Sequence, residues 1–206
     1  MSDVSGGNWW GSGNAGVIEV TNDVWHSSPN SVQITAGPGS IWSSHVGESY
    51  TGEIWHRMYV KGSLESTAAG SAWSLEIQGG ASDNSMGRWY GGATGIRPRI
   101  RGTGRVLNPV ALTGGWDLCE VKIMPGTGND GYSEFFFNGV SLGTLQWGDL
   151  DGGQDSQAVD VVRINRWDRS DMSGVACWVD DMSLTPEPTT LVLLGLGGLI
   201  SLRRRA

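Results

Sequence analysis

The chain has 206 residues, enough for one domain with a proper core and a tail. Its 33 glycines point to many turns, and 11 tryptophans against 4 tyrosines and 3 phenylalanines make its aromatic surface mostly indole. The net charge is −7 although the C-terminal stretch is basic, so the body is acidic and nucleic acid is excluded as a general partner.

Residues 1–185 show alternating runs and no helical period. The start, "MSDVSGGNWWGSG", has neither a basic nor an apolar leader segment. Strands are predicted at 16–21 ("GVIEVT") and 31–35 ("SVQIT"). A third, at 53–61, sets Ile54, His56, Met58 and Val60 against Trp55, Arg57 and Tyr59. At 72–78, Trp73, Leu75 and Ile77 face a core while Ser74, Glu76 and Gln78 face water. His56, on an alternating strand, reads as structural rather than catalytic. Further strands are expected at 87–91, 95–101 and 117–124. "SEFFFNGVSLGTLQ" (133–146) is a hairpin whose Asn138-Gly139 pair can take the positive φ angles of a tight turn. Runs at 159–167 and 175–184 close the body, and 79–87, 102–116 and 148–157 read as loops. Strands at this spacing predict an all-β, two-sheet antiparallel sandwich over 1–185, with a separate tail at 186–206.

The tail, "TPEPTTLVLLGLGGLISLRRRA", joins Pro186-Glu187-Pro188 to an apolar run and ends in Arg203, Arg204 and Arg205. A helix over 189–202 would be about 21 Å long, short of the roughly 30 Å of a bilayer core. The arginines would stay on the cytoplasmic side, and Gly195, Gly197 and Gly198 would offer a packing face to another membrane helix. This three-part terminal pattern resembles the PEP-CTERM sorting signal of bacteria. The resemblance implies export, transient tethering in the inner membrane, and processing by an exosortase that leaves the domain at the cell surface or outside. Export needs a leader, so the natural start is expected upstream of Met1.

The body resembles the concanavalin A-like jelly rolls, the group that includes laminin-G-like domains, glucanases and several polysaccharide lyases. "SEFFFNGVSLGTLQW" carries the likeness to the laminin-G hairpin, "ACWVDDMSL" to a common last strand, and "WHSSPNSVQIT" to an early strand entry. The Glu-x-Asp-x-x-Glu run of the glucanases is absent: Glu48 and Glu53 lie five apart without the central Asp. No other catalytic motif appears, and the expectation is a non-enzyme. The residue set still leaves a lyase open, with a Tyr or His as base and an Arg to neutralise a uronate.

Arg97, Arg99 and Arg101 in "IRPRIR" would share one strand face, either gripping an acidic glycan or blunting an edge strand with Pro98. Trp42, Trp89, Trp147 and Trp167 lie near turns and are candidates for stacking on sugars, with core burial as the alternative. A structural calcium ion is the one cofactor candidate, from Asp149, Asp151 and Asp155 in "GDLDGGQD" or from Asp180 and Asp181. Cys119 and Cys177 are either a disulfide or two buried thiols. The functional expectation is an exported envelope protein that binds glycan or contributes to an extracellular polysaccharide matrix. A polysaccharide lyase or hydrolase, and a purely structural biofilm component, are the alternatives.

Overall fold

The computed structural model describes residues 10–12, 18–27, 30–35, 40–62, 71–78, 85–92, 95–100, 106–126, 130–147, 159–166 and 175–186. Thirteen strands lie among them: β1 (Trp10–Ser12), β2 (Ile18–Thr21), β3 (Ser31–Thr35), β4 (Ser40–Tyr50), β5 (Ile54–Lys61), β6 (Ser71–Gln78), β7 (Ser85–Gly92), β8 (Gly95–Arg99), β9 (Asp117–Met124), β10 (Tyr132–Phe137), β11 (Val140–Gln146), β12 (Val159–Arg166) and β13 (Val175–Pro186). They form a six-stranded sheet, β1-β4-β12-β6-β7-β8, and a seven-stranded sheet, β11-β10-β9-β5-β13-β3-β2. Every strand pair is antiparallel. The expected two-sheet sandwich is present.

The core lies between the sheets. Leu75, Ile77, Trp89, Val162 and Ile164 come from one side, and Ile54, Met58, Val121, Ile123 and Phe135 from the other. Trp89 meets Phe135 edge to face at 5.4 Å. The sheets approach closely at Gly87, where an added Cβ would lie 3.1 Å from Val121. One polar link crosses the core. Ser133 Oγ on β10 donates to the Met86 carbonyl on β7 and accepts from Trp147 Nε1 at 2.9 Å.

The β10–β11 hairpin turns at Asn138 (φ 50°) and Gly139 (φ 77°), as the Asn-Gly pair requires. Asn138 also ties the turn to the start of β9. Its Nδ2 donates to Asp117 at 2.8 Å, and its Oδ1 accepts from the Leu118 N–H at 2.8 Å. Strand β8 is a sheet edge carrying Pro98, and its outer side is covered by 106–110 through the Ile96–Val110 backbone pair and Leu107 N–H to Pro98 O.

Three expectations change. Strand β4 was not foreseen, because "SIWSSHVGESY" is polar on both parities and mimics a loop. No disulfide joins Cys119 and Cys177, which are buried thiols. Their strands β9 and β13 lie on opposite sides of β5, roughly 9.5 Å apart, beyond the reach of a bridge. Burial, then the nearby Asp117, pushes the Cys119 thiol well above its ordinary range. Finally, β13 runs one residue past the expected domain boundary. Pro186 is still in register with Ile54, and this end of β13 is paired with β5 alone among the described strands.

Candidate functional site

The outer face of the six-stranded sheet carries the densest polar constellation. Leu75 and Ile77 on β6, and Trp89 on β7, point into the core, so residues 74, 76, 88 and 90 lie on the opposite face. The ladders align them across strands. Arg163, Glu76, Arg88 and Arg99 form one row, and Asn165, Ser74, Tyr90 and Arg97 the next.

Ser74 and Glu76, expected to face water, are instead 0% and 1% exposed, and Tyr90 is 6% exposed. The Glu76 carboxylate is held on two sides. Arg88 Nη2 reaches Oε2 at 2.6 Å, and Ser74 Oγ donates to Oε1 at 2.5 Å. Arg88 also donates through Nη1 to the Tyr90 phenol oxygen. Its guanidinium carbon lies 5.1 Å from the Tyr90 ring centre, and that of Arg99 5.5 Å. Tyr90 thus carries two cations against its ring. Arg97, directly across the ladder from Tyr90, is exposed.

Burying a carboxylate and a guanidinium together gains little for stability over an apolar pair of the same size. Arg97 and Arg99 do share this face, as expected; Arg101 lies outside the described residues. Glu76 and Arg88 were not singled out from sequence. The signal was there in polar positions at 74 and 76, 88 and 90, and 97 and 99, two apart on three consecutive strands.

The tryptophan expectations divide. Trp89 and Trp147 are 1% and 0% exposed, so neither can stack on a sugar. Trp147 is fixed by its bond to Ser133 and by Gly131, where an added Cβ would lie 2.3 Å from its ring. Trp42, on β4, is in register with Ile164 on β12; its side chain, and Trp167, lie outside the described residues.

Asp180 and Asp181 close a turn rather than cradle calcium. Asp180 accepts the His26 N–H and the Asp181 N–H, each at 2.8 Å. Asp181 accepts Ser27 Oγ at 2.5 Å and lies 2.7 Å from His26 Nδ1. Carboxylates aimed at N–H and O–H donors do not suit a hard cation, which needs converging oxygens. Among the described residues no group of three or more candidate ligands assembles; Asp149, Asp151 and Asp155 lie outside them. His56 is buried with no partner on either ring nitrogen, and burial lowers its pKa to about 3, so it is neutral in the core. The Tyr132 phenol donates to Glu53 at 2.9 Å; burial, then this bond, raises its pKa.

Residues 184–205 match the PEP-CTERM protein-sorting motif. Its first three positions, 184–186, are the end of β13; Glu187, Pro188, Arg203, Arg204 and Arg205 lie outside the described residues. Among those described, no helix is long and apolar enough to cross a membrane. No curated protein sequence matches the chain. Several solved structures share its fold. An endo-β-1,4-glucuronan lyase from the fungus Trichoderma reesei superposes with a TM-score of 0.64 at 14% identity, covering 90% of this chain and 93% of the lyase. The cellulose-induced protein Cip1 gives 0.58 at 18% identity, with 87% and 91% covered. A carbohydrate esterase from the Shiga toxin-encoding bacteriophage phi24B gives 0.59 at 10% identity, with 87% and 90% covered. At these identities the likeness is one of fold.

Proposed function

We propose that the domain is an exported glycan-binding module whose outer six-stranded face holds an acidic, uronate-containing polysaccharide. The sorting motif at 184–205 implies export and exosortase processing, which supports a partner outside the cell. The observation that carries the reading is the Arg88–Tyr90–Arg99 arrangement beside exposed Arg97. Guanidinium forks match carboxylates two bonds at a time. Exposed Arg97 would meet the polymer first, and Glu76 would hold Arg88 in place. The fold neighbours include a glucuronan lyase and a carbohydrate esterase, which fits a glycan partner.

The test is affinity electrophoresis against polyglucuronate, alginate, pectate and neutral controls. Wild type is expected to be retarded by at least one acidic polymer, with weakening in salt. Arg97→Ala with Arg99→Ala is expected to lose the retardation, and Arg97→Ala alone, at an exposed position, to weaken it at unchanged melting temperature. No retardation by any acidic polymer, or retardation indifferent to both substitutions, would overturn the reading.

A second reading follows from the same residues. A phenol that accepts a bond from Arg88, with Arg99 over its ring, next to a bound uronate is also what proton abstraction beside a carboxylate needs. A lyase would release unsaturated uronates, visible by their ultraviolet absorbance, and Tyr90→Phe would abolish this while sparing binding. Bound acidic polymer with no new absorbance over long incubation would restrict the face to binding.

A further inference from the structure

The outer face of the seven-stranded sheet carries a second construction, made of different chemistry. Trp25, in the turn after β2, is 49% exposed. A lone exposed indole is ordinary on a protein surface. The backbone of this one is pinned beside a fixed aromatic group. The His26 ring stacks on Tyr59 at 3.6 Å and 14°, and meets Trp116 edge-on at 5.8 Å. Trp116 Nε1 donates to the Trp25 carbonyl at 3.1 Å. Tyr59 and Trp116 are each part-exposed, so the group borders solvent.

The turn is held from below by the last strand. Asp180 takes the His26 N–H, and Asp181 takes the Ser27 hydroxyl and the His26 ring. Asp181 does this from a left-handed backbone, φ 48°, at the bulge where β13 slips against β5. A non-glycine residue in that region is strained. Strain at Asp181, a three-bond clasp from β13 onto the turn, and an indole left in water meet in one place. A purely structural turn requires none of them together.

We propose that this surface is a saccharide platform for a neutral glycan, separate from the arginine-bearing face. The apolar C–H face of a pyranose would lie on Trp25, flanked by Trp116 and the His26–Tyr59 stack. Asp23, Ser27 and Asn30, exposed in the same segment, face the sugar hydroxyls with donors and acceptors. The charge decides the class of ligand. Asp23 and the Asp180–Asp181 pair give the turn carboxylates and no arginine or lysine of its own, which suits an uncharged sugar better than a uronate or a sulfated one. The Asp181 clasp acts by positioning: it pre-sets the turn, so the ring is already in place when the sugar arrives.

The experiment is tryptophan-fluorescence titration with laminarin, hydroxyethylcellulose, xyloglucan and dextran, on wild type, Trp25→Ala and Asp181→Asn. At least one neutral polymer is expected to quench or shift the emission, with little dependence on salt. Trp25→Ala should weaken that binding by about tenfold or more, at unchanged melting temperature. Asp181→Asn should weaken it while Trp25 stays present, and acidic-polymer binding should survive both substitutions. If no neutral polymer binds wild type, or if Trp25→Ala binds as wild type does, the proposal falls. A response of Trp25 to phosphatidylglycerol vesicles alone would overturn it in favour of a membrane contact. Because the acidic-polymer assay reads Arg97 and Arg99, failure here leaves that reading standing, and the converse.

Discussion

Replacing Ser133 with alanine tests the account of how the two sheets are joined. Its hydroxyl is fully buried, donates to the Met86 carbonyl of the opposite sheet, and accepts the Trp147 indole N–H at 2.9 Å. Removing it deletes two hydrogen bonds at about 1 kcal/mol each. It also strands a buried indole donor, which costs about 1–3 kcal/mol more. The carbonyl keeps a second lone pair and suffers less. The expected loss is about 3–5 kcal/mol, or a melting temperature lower by roughly 6–20 °C for a domain of this size. Urea unfolding followed by tryptophan emission reads it directly, with an unchanged slope showing that the same surface is exposed. Trp147→Phe in the Ser133→Ala background should cost less than Trp147→Phe alone, since the stranded donor is then gone. A Ser133→Ala protein within about 0.5 kcal/mol of wild type, or additive substitutions, would refute the reasoning.

Gly131→Ala should destabilise by about 1–3 kcal/mol, because its methyl would sit 2.3 Å and 2.7 Å from Trp147 ring atoms that have no room to retreat; the shift in urea midpoint measures it. His56 bears on acid stability. Its folded pKa of about 3 lies below the ordinary 6.5, so protons bind the unfolded chain first. The stability contributed by neutral His56 is therefore full above about pH 6.5 and declines as pH falls towards 3, at no more than about 1.4 kcal/mol per pH unit. Unfolding midpoints between pH 7 and pH 4 should fall less steeply in His56→Leu than in wild type. The Asp181 clasp adds to the acid side. Burial alone would raise its pKa, but hydrogen bonds from Ser27 and His26 outweigh this and hold it below its ordinary value. Its contribution is present above the unfolded carboxylate's pKa and is lost as pH falls through the folded one, so Asp181→Asn should show a shallower decline below pH 4.

Much of the sandwich was legible because its strands alternate. The runs at 31–35 and 117–124 coincide with β3 and β9, and Asn138-Gly139 announced its own turn. Strand β4 was hidden because polar residues fall on both parities, and a sheet position is set by its ladder partners as much as by its own pattern. The candidate site was half legible for a related reason. Polar residues at 74 and 76 look alike whether they face water or a buried guanidinium, and only the cross-strand register joins Glu76 to Arg88. Trp89 and Trp147 show the reverse limit. Gly- and polar-rich surroundings suggested exposed turns, yet Gly87 lies where the sheets, and Gly131 where the Trp147 indole, leave no space for a side chain.

The end of β13 sets a leash. Pro186 is still in the ladder with Ile54, and only Glu187–Thr190 separate it from the apolar run that begins at Leu191. Four residues reach at most about 14 Å, while β5 alone is about 27 Å long. With the run seated in a bilayer, a body longer than its leash has no freedom to tumble. It would stand on the rim that contains Gly52 and Glu53, strands rising from the membrane and both outer faces turned sideways. Each face would then be open to polymer before the tail is cut. A Gly-Ser spacer ahead of Pro186 should expose a Gly52→Cys thiol, at an open position of the rim, to an impermeant maleimide that the unmodified tether keeps out; equal labelling without the spacer would show that the rim does not rest on the membrane.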